Sequence, residues 1–335
     1  MVTQTASQLS LFEESPVVPA GPMVHLGSLT WSHARRSTLE RCCLQYYFDY
    51  FGANKRTAKA DPAKEELHLL KSVASRHERT GWILHLVIAW YLRESQRGAG
   101  PDVERLTRWA RQLFESDRTY SRLHPDGGDV DSATKYPAAL LREYHYRHPD
   151  AEQLCDEAEE RLITAVHSFA TDPLYAQFRV GGSSPEALIE HAIKLPAGLL
   201  PCKVDGRIDL AYGDPGSATI VDWKLGDASG VGDESLQLAV YALWAVTCFG
   251  CDPASLRICR VHFGSHEIAD FHFDAGVLAD AQARITQDAM RMAAMEGYGR
   301  AGVAEAFTPC ALPGVCNGCR YQRACPAGKE FINHA

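Results

Sequence analysis

The alternation of apolar and polar positions divides the chain near residue 184. From Thr30 to about Ala170, the stretches WSHARRSTLERC, PAKEELHLLKSVASRHERTGWILHLVIAWYLRES, VERLTRWARQLFESD and AEQLCDEAEERLITAVHSFATD place apolar residues three and four apart, which predicts amphipathic helices. Polar loops such as HPDGGDVD separate them. Beyond Ser184 the texture changes to EALIEHAIKL, GLLPCKVDGRIDLAYG and ATIVDWKLG, which read as strands. A helix, ESLQLAVYALWAVTCFG, follows, then strands SLRICRVHF and EIADFHF and a last helix, AGVLADAQARITQDAMRMAAMEGY. Hairpin, strand, helix, strand predicts an α/β fold, a mixed sheet core flanked by helices with a helical N-terminal region. The expected divisions are a flexible tail over 1–27, a helical region over 28–183, a sheet core over 184–305 and a cysteine-rich end over 306–335.

Charged groups interrupt the predicted hairpin. Asp209 ends GRID, 12 residues intervene, and DWK then supplies Asp222 and Lys224, so pairing brings both carboxylates to one end of adjacent strands. Asp222 and Lys224 share a face, because side chains alternate along a strand. Two hard oxygen donors at that separation could hold Mg²⁺ or Mn²⁺. Such a cation acidifies water and supports charge on a phosphate oxygen, where Lys224 could orient the nucleophile. The bland alternative is a surface ion pair on an edge strand, worth little energetically. Glu190, on the strand before the hairpin, is either an extra acid near the site or an ordinary surface glutamate.

Composition narrows the function classes. At 335 residues, 46% hydrophobic and 23% charged, the chain can bury a substantial core. Its longest apolar stretch, Leu238 to Gly250, is shorter than the roughly 20 residues a bilayer needs, and the N-terminus lacks an apolar signal core, so a cytoplasmic, non-membrane protein is expected. No GxxxxGK[ST] loop is present, which argues against a built-in ATP motor. A formal charge of −8 disfavours whole-surface attraction to nucleic acid. Basicity is local: Arg35, Arg36, Arg41, Lys55, Arg56 and Lys59 cluster early, and Phe307 to Lys329 holds no acid.

Eleven cysteines make an odd count that does not suit a full disulfide framework in a reducing compartment. Cys155, Cys202, Cys248, Cys251 and Cys259 are scattered and read as small buried hydrophobes. CNGCRYQRAC instead groups Cys316, Cys319 and Cys325, three thiolates that need a fourth ligand. A closed soft-ligand site holds zinc or an iron–sulfur cluster. Cys310 is the local fourth candidate and would suit zinc.

Four short motifs occur in order: GWILH (Gly81 to His85), GRID (Gly206 to Asp209), DWK (Asp222 to Lys224) and QLAVY (Gln237 to Tyr241). In that order the sequence resembles the PD-(D/E)XK nuclease superfamily and, within it, the RecB-like branch. The resemblance implies a restriction-endonuclease-like core and a metal-dependent DNA nuclease, an exonuclease on single-stranded or processed ends in repair, processing or phage defence. It implies that His85, Asp209, Asp222 and the backbone carbonyl of Trp223 ligate Mg²⁺ or Mn²⁺, that Asp209, Asp222 and Lys224 are catalytic, and that Gln237 and Tyr241 touch the DNA backbone. A subset of that family, similar to the CRISPR adaptation and AddB-type nucleases, closes a 4Fe-4S cluster with one distant upstream cysteine. In CCLQYYFDY that position falls on Cys42, with Cys43 where proline is usual; the departure leaves Cys42 and Cys43 both open, and with Cys42 preferred the resemblance implies a clasp of Cys42, Cys316, Cys319 and Cys325. Zinc remains the alternative occupant.

DNA is expected along the basic N-terminal helix, where Tyr46, Tyr47 and Phe48 either stack on bases or pack beside the cluster. In the tail, QLSLF (Gln8, Leu9, Leu11, Phe12) resembles the linear motif by which bacterial repair proteins dock onto the DNA sliding clamp. The expected partners are therefore DNA, the clamp and a separate helicase. The rival readings are a catalytically inactive DNA-binding scaffold of a helicase–nuclease complex and a zinc-stabilised, clamp-interacting module.

Overall fold

A computed structural model describes residues 24–53, 61–100, 102–129, 134–227 and 235–334. Strand β1 (Thr30–Trp31) opens the chain, followed by helices α1 (His33–Arg41) and α2 (Cys43–Tyr47), the latter running into a π-turn over Phe48–Gly52. Helix α3 (Pro62–Ser72) ends at β2 (Val73–Ala74), which pairs in parallel with β3 (Leu140–Leu141). Between them lie α4 (Arg76–Gln96) and α5 (Val103–Leu123). Helices α6 (Arg142–His145), α7 (Ala151–Thr171) and α8 (Ala176–Gly182) lead into β4 (Leu188–Lys194), β5 (Lys203–Tyr212) and β6 (Thr219–Lys224). Helix α9 (Ser235–Cys248) crosses to β7 (Arg257–His262) and β8 (Glu267–Phe271), and α10 (Ala275–Ala301) and α11 (Pro313–Cys316) finish the chain.

The helical pattern from Pro62 to Ser95 is two helices rather than one. Ser75 accepts from the Glu78 amide while the Glu78 carboxylate accepts from the Ser75 amide, and this reciprocal capping box starts a new helix at Arg76. The break aims α4, and with it His85, at the sheet.

The six-stranded sheet runs β1-β5-β6-β7-β8, with β4 also paired to β5. β4/β5, β5/β6 and β7/β8 are antiparallel, while β6 and β7 are parallel and joined through α9, as a parallel pair requires a crossover. β5 serves two ladders at its ends: residues 203–204 pair with β1 and 210–212 with β6. Between those ends Asp205 to Ile208 pair with β4 alone, and Asp209 with no strand. This interval in the sheet becomes the floor of the site.

Both faces of the sheet are covered, which is why β6 and β7 read as nearly continuous apolar runs. Ile220 and Ile258 enter a core shared with α9, α10, the N-terminal helices and the cysteine-rich end. Their neighbours Val221, Trp223, Cys259 and Val261 enter a second core with α4, α5, α7 and α8. Helices α4, α5, α7 and α8 thus form one layer over the sheet, and α1, α2 and α3 join α9 and α10 on the other face. Among the described residues, no helix is long and apolar enough to cross a membrane.

Candidate active site

The β5/β6 ladder ends where Leu210 meets Val221. Asp209 and Asp222 come next, and the Trp223 amide donates to Asp209 Oδ2 at 2.7 Å, so a carboxylate replaces the carbonyl that would have continued the ladder. On β7, Arg260 lies opposite Asp222. On β4, Glu190 falls between the pairs Ile189–Leu210 and His191–Ile208, level with Asp209. Glu190, Asp209, Asp222 and Arg260 therefore form one row across four strands. Glu190 interrupts its ladder with φ of 50°, a left-handed conformation that costs a non-glycine residue about 1–2 kcal/mol.

His85 closes the row from α4. Its Nδ1 lies 3.1 Å from Asp209 Oδ1 and 3.4 Å from Glu190 Oε1, and its Nε2 lies 3.1 Å from the carbonyl oxygen of Trp223. Burial alone would lower its pKa, but the charge and hydrogen bonds of Asp209 and Glu190 outweigh it and raise the imidazole to about 10. Both ring N–H groups then donate, one to the acids and one to Trp223 O. Burial, with Asp222 and Glu190 nearby, holds Asp209 above the ordinary carboxylate value despite the His85 charge. The ligand atoms of His85, Glu190 and Asp209 lie within 4.8 Å of one another, the one such group among the described residues. An imidazole and two carboxylates converging on a bound proton are a donor set that fits Mn²⁺ or Mg²⁺.

Asp222 is turned differently. Fully buried, its Oδ2 accepts from Arg260 Nε at 2.8 Å and sits 3.1 Å from Lys224 Nζ. A buried carboxylate demands such partners, and two cations hold this one. The Lys224 ammonium is the less buried of the two and projects to the surface of the cleft. From α9, Gln237 Nε2 donates to Tyr241 OH at 2.7 Å, and that hydroxyl donates to Arg207 O at 2.6 Å, inside the interval of β5 that pairs with β4 alone. Burial and the charges of Asp222 and Asp209 push the Tyr241 phenol far up, so it stays a donor. A cavity of about 330 Å³ opens over the row, lined by Asp209, Asp222, Lys224, Glu190, His85 and Tyr241 among others.

The structure thus gathers His85, Asp209, Asp222, Trp223 O, Lys224, Gln237 and Tyr241 in one cleft, and adds Glu190 to the group that converges on His85. Arg260 escaped the sequence reading. Its signal was present: RVH on β7 repeats DWK on β6, charged residues two apart in an apolar strand, and the register pairs Asp222 with Arg260 and Lys224 with His262.

Cys42 reaches the C-terminal cysteines. Burial raises the Cys42 thiol, with Cys310 beside it. Burial likewise lifts Cys319 to about 11, with Cys42, Cys325 and Cys316 as neighbours. Cys310 and Cys316 sulfurs are 3.9 Å apart. Cys43 turns away, its Sγ 3.8 Å from Leu39 O. The Leu44 amide donates to Thr308 O at 3.3 Å, Tyr321 OH to Asp49 at 2.7 Å, and Phe48 packs 5.1 Å from Tyr321, so this end is stitched to α2 and its π-turn.

Of the two alternatives for the aromatic residues, Tyr46 and Phe48 take the packed one: they are buried core. The expectation of a basic DNA-facing helix is corrected at Arg35 and Arg36. Arg35 is bound to Glu296, and Arg36, almost wholly buried, to Glu40 and Asp288, so their charge is spent inside the protein. Gln8, Leu9, Leu11 and Phe12 lie outside the described residues, as do Lys55, Arg56 and Lys59.

A mixed sheet whose hairpin presents an acid row and a lysine, with helices on both faces, is a restriction-endonuclease-like fold. Comparison with known families matches residues 30–326 to the PD-(D/E)XK nuclease superfamily. The chain belongs to that superfamily, whose members are generally nucleases that use divalent metals. No curated protein matches it.

Proposed function

We propose that the protein is a metal-dependent deoxyribonuclease of the RecB-like branch, an exonuclease on single-stranded or processed DNA ends, with a structural 4Fe-4S clasp. The observation that carries the reading is the convergence of His85, Glu190 and Asp209 one strand away from the Asp222–Lys224–Arg260 triad.

When bound, a divalent cation would acidify water and offset charge on the scissile phosphate. His85, Asp209, Asp222 and the Trp223 carbonyl would hold it, with Glu190 as a further donor beside His85 and Asp209. Lys224 presents its ammonium at the cleft surface, where it donates to a water or a phosphate oxygen and stabilises charge that develops there. Asp222 holds and aims that ammonium, and Arg260 keeps Asp222 paired when Lys224 moves to substrate. Gln237 and Tyr241 fix the Arg207 carbonyl and stiffen the strand that carries Asp209.

Cys42, Cys316, Cys319 and Cys325 would hold the cluster. Four thiolates on one zinc at about 2.3 Å would lie roughly 3.8 Å apart. Among the described residues no three cysteine sulfurs lie within 4.8 Å of one another, while Cys310 and Cys316 at 3.9 Å match the zinc spacing, so zinc stays the alternative occupant. The clasp would tie the N-terminal helices to the end of the chain rather than take part in redox chemistry. QLSLF would tether the enzyme to a sliding clamp and so raise its concentration at DNA, beside a separate helicase in repair, processing or phage defence.

The test is cleavage of end-labelled single-stranded and duplex DNA by anaerobically purified protein, with Mn²⁺ or with EDTA, beside Lys224→Ala. Metal-dependent cleavage by wild type alone supports the reading. Equal cleavage by the variant, or none by folded, cluster-loaded wild type, would leave the inactive scaffold as the better account.

A further inference from the structure

Lys224 and His85 form a wall between two cavities, the one over the acid row and a second of about 680 Å³ on the far side. The second is within the roughly 300–1,000 Å³ of pockets that take a small organic ligand. Three features mark it as built for an occupant. His262, level with Lys224 in the β6/β7 register, is 8% exposed and lines this cavity, yet its Nδ1 has no hydrogen-bond partner. Buried polar atoms are nearly always bonded, so a partner from outside the chain is the simplest completion. Gly81 sits inside α4, where glycine weakens a helix, and a Cβ there would meet nothing within 4 Å. No neighbouring side chain requires that glycine; what it keeps open is the cavity. The walls combine the exposed Arg161 of α7 and the buried Arg260 of β7 with the half-buried ring of Phe271, over which Arg260 lies at 5.8 Å.

We propose that this cavity is a nucleotide subsite, which takes the unpaired nucleotide adjoining the scissile phosphate of single-stranded DNA. His262 and Arg161 meet its phosphate oxygens, and Phe271 offers the base an apolar face. Stacked and paired bases cannot enter such a recess, so the subsite selects strands whose terminal nucleotide is free. The proposal rests on the nuclease reading for the position of the scissile bond.

The test compares wild type with Gly81→Leu, which fills the recess with a good helix former, and Arg161→Ala, each checked for an unchanged melting curve. Binding of fluorescein-labelled oligothymidylate and of a blunt duplex is measured in EDTA, and Mn²⁺-dependent cleavage of both in parallel. The expected result is on the order of tenfold weaker oligothymidylate binding in Gly81→Leu, a smaller loss in Arg161→Ala, and slower single-strand cleavage, with duplex binding unmoved. Variants that bind and cut single strands like wild type, a wild type that binds no oligothymidylate, or equal losses on duplex would each overturn the subsite. A wild type that binds oligothymidylate through these residues and cuts nothing would keep the subsite and overturn the nuclease.

Discussion

The acid row and the cysteine clasp are assembled in opposite ways. Glu190, Asp209, Asp222 and Arg260 lie on four strands adjacent in the sheet, and His85 alone arrives from a distant helix. The clasp instead brings residue 42 to residues 310–325, with its contacts spread over α2, α6 and the π-turn: Arg142 donates to Asn317 O at 2.6 Å, and Tyr146 to Arg320 O at 2.8 Å. A row on a rigid sheet can change one side chain and keep its geometry. A clasp that closes the chain cannot. Chemistry and stability should therefore separate by mutation.

The widest separation is expected at Lys224→Ala. Asp222 retains Arg260 at 2.8 Å, so no buried charge is stranded and the melting temperature should stay put. Removal of one donor aimed at developing charge costs about 10²–10³-fold in rate. Single-turnover cleavage in Mn²⁺ measures it, and a loss of under tenfold would remove Lys224 from the chemistry.

Cys319→Ser should do the reverse. Its loss leaves three thiolates and opens the link to α2, which lowers the melting temperature by on the order of 5 °C, equivalent to about 2 kcal/mol. If the clasp holds the proposed cluster, absorbance near 400 nm should disappear, while cleavage per folded molecule stays within about threefold. A stable, colourless and inactive variant would make the clasp part of the chemistry and erase the contrast.

What was legible in the sequence follows the same division. Asp209, Asp222 and Lys224 stood out because charges in apolar strands break a two-residue pattern, and a short hairpin fixes who faces whom. Arg260 broke the same pattern in RICRVH, but the partner that gives it meaning lies across a parallel crossover, whose register no local rule sets. Glu190 was visible as an acid near the hairpin, whereas its positive φ and its approach to His85 were not. The split between α3 and α4 was written in Ser75 and Glu78, but a continuous apolar period masked it.

Protons supply a smaller, graded test. His85 must give up its Nδ1 proton to ligate a cation, and its neighbours raise the imidazole to about 10. Below that pH a proton competes with the metal, so affinity for Mn²⁺ should rise by about tenfold per pH unit from 6 to 9, with about one proton released per ion. Calorimetry in buffers of different ionisation heat counts that proton. No release at pH 7 would mean that His85 does not ligate through Nδ1.

The smallest expected effect sharpens the comparison most, because it tests the sheet rather than the ligands. Tyr241→Phe keeps the packed ring of α9 and deletes only the hydroxyl that donates to Arg207 O and accepts from Gln237. The Arg207 carbonyl lies in the interval of β5 that pairs neither with β1 nor with β6. Its acceptor would be left to water from the cleft, which limits the loss of stability to about 1 kcal/mol. If the interval needs Tyr241 to hold Asp209 against His85, cleavage should fall by about three- to tenfold with the ion affinity weakened in proportion. If the strand holds itself, ion affinity will not move, and any change in rate will report contact between the hydroxyl and DNA. Titration of Mn²⁺ against Tyr241→Phe without DNA separates the two, since only the first outcome appears in the absence of substrate.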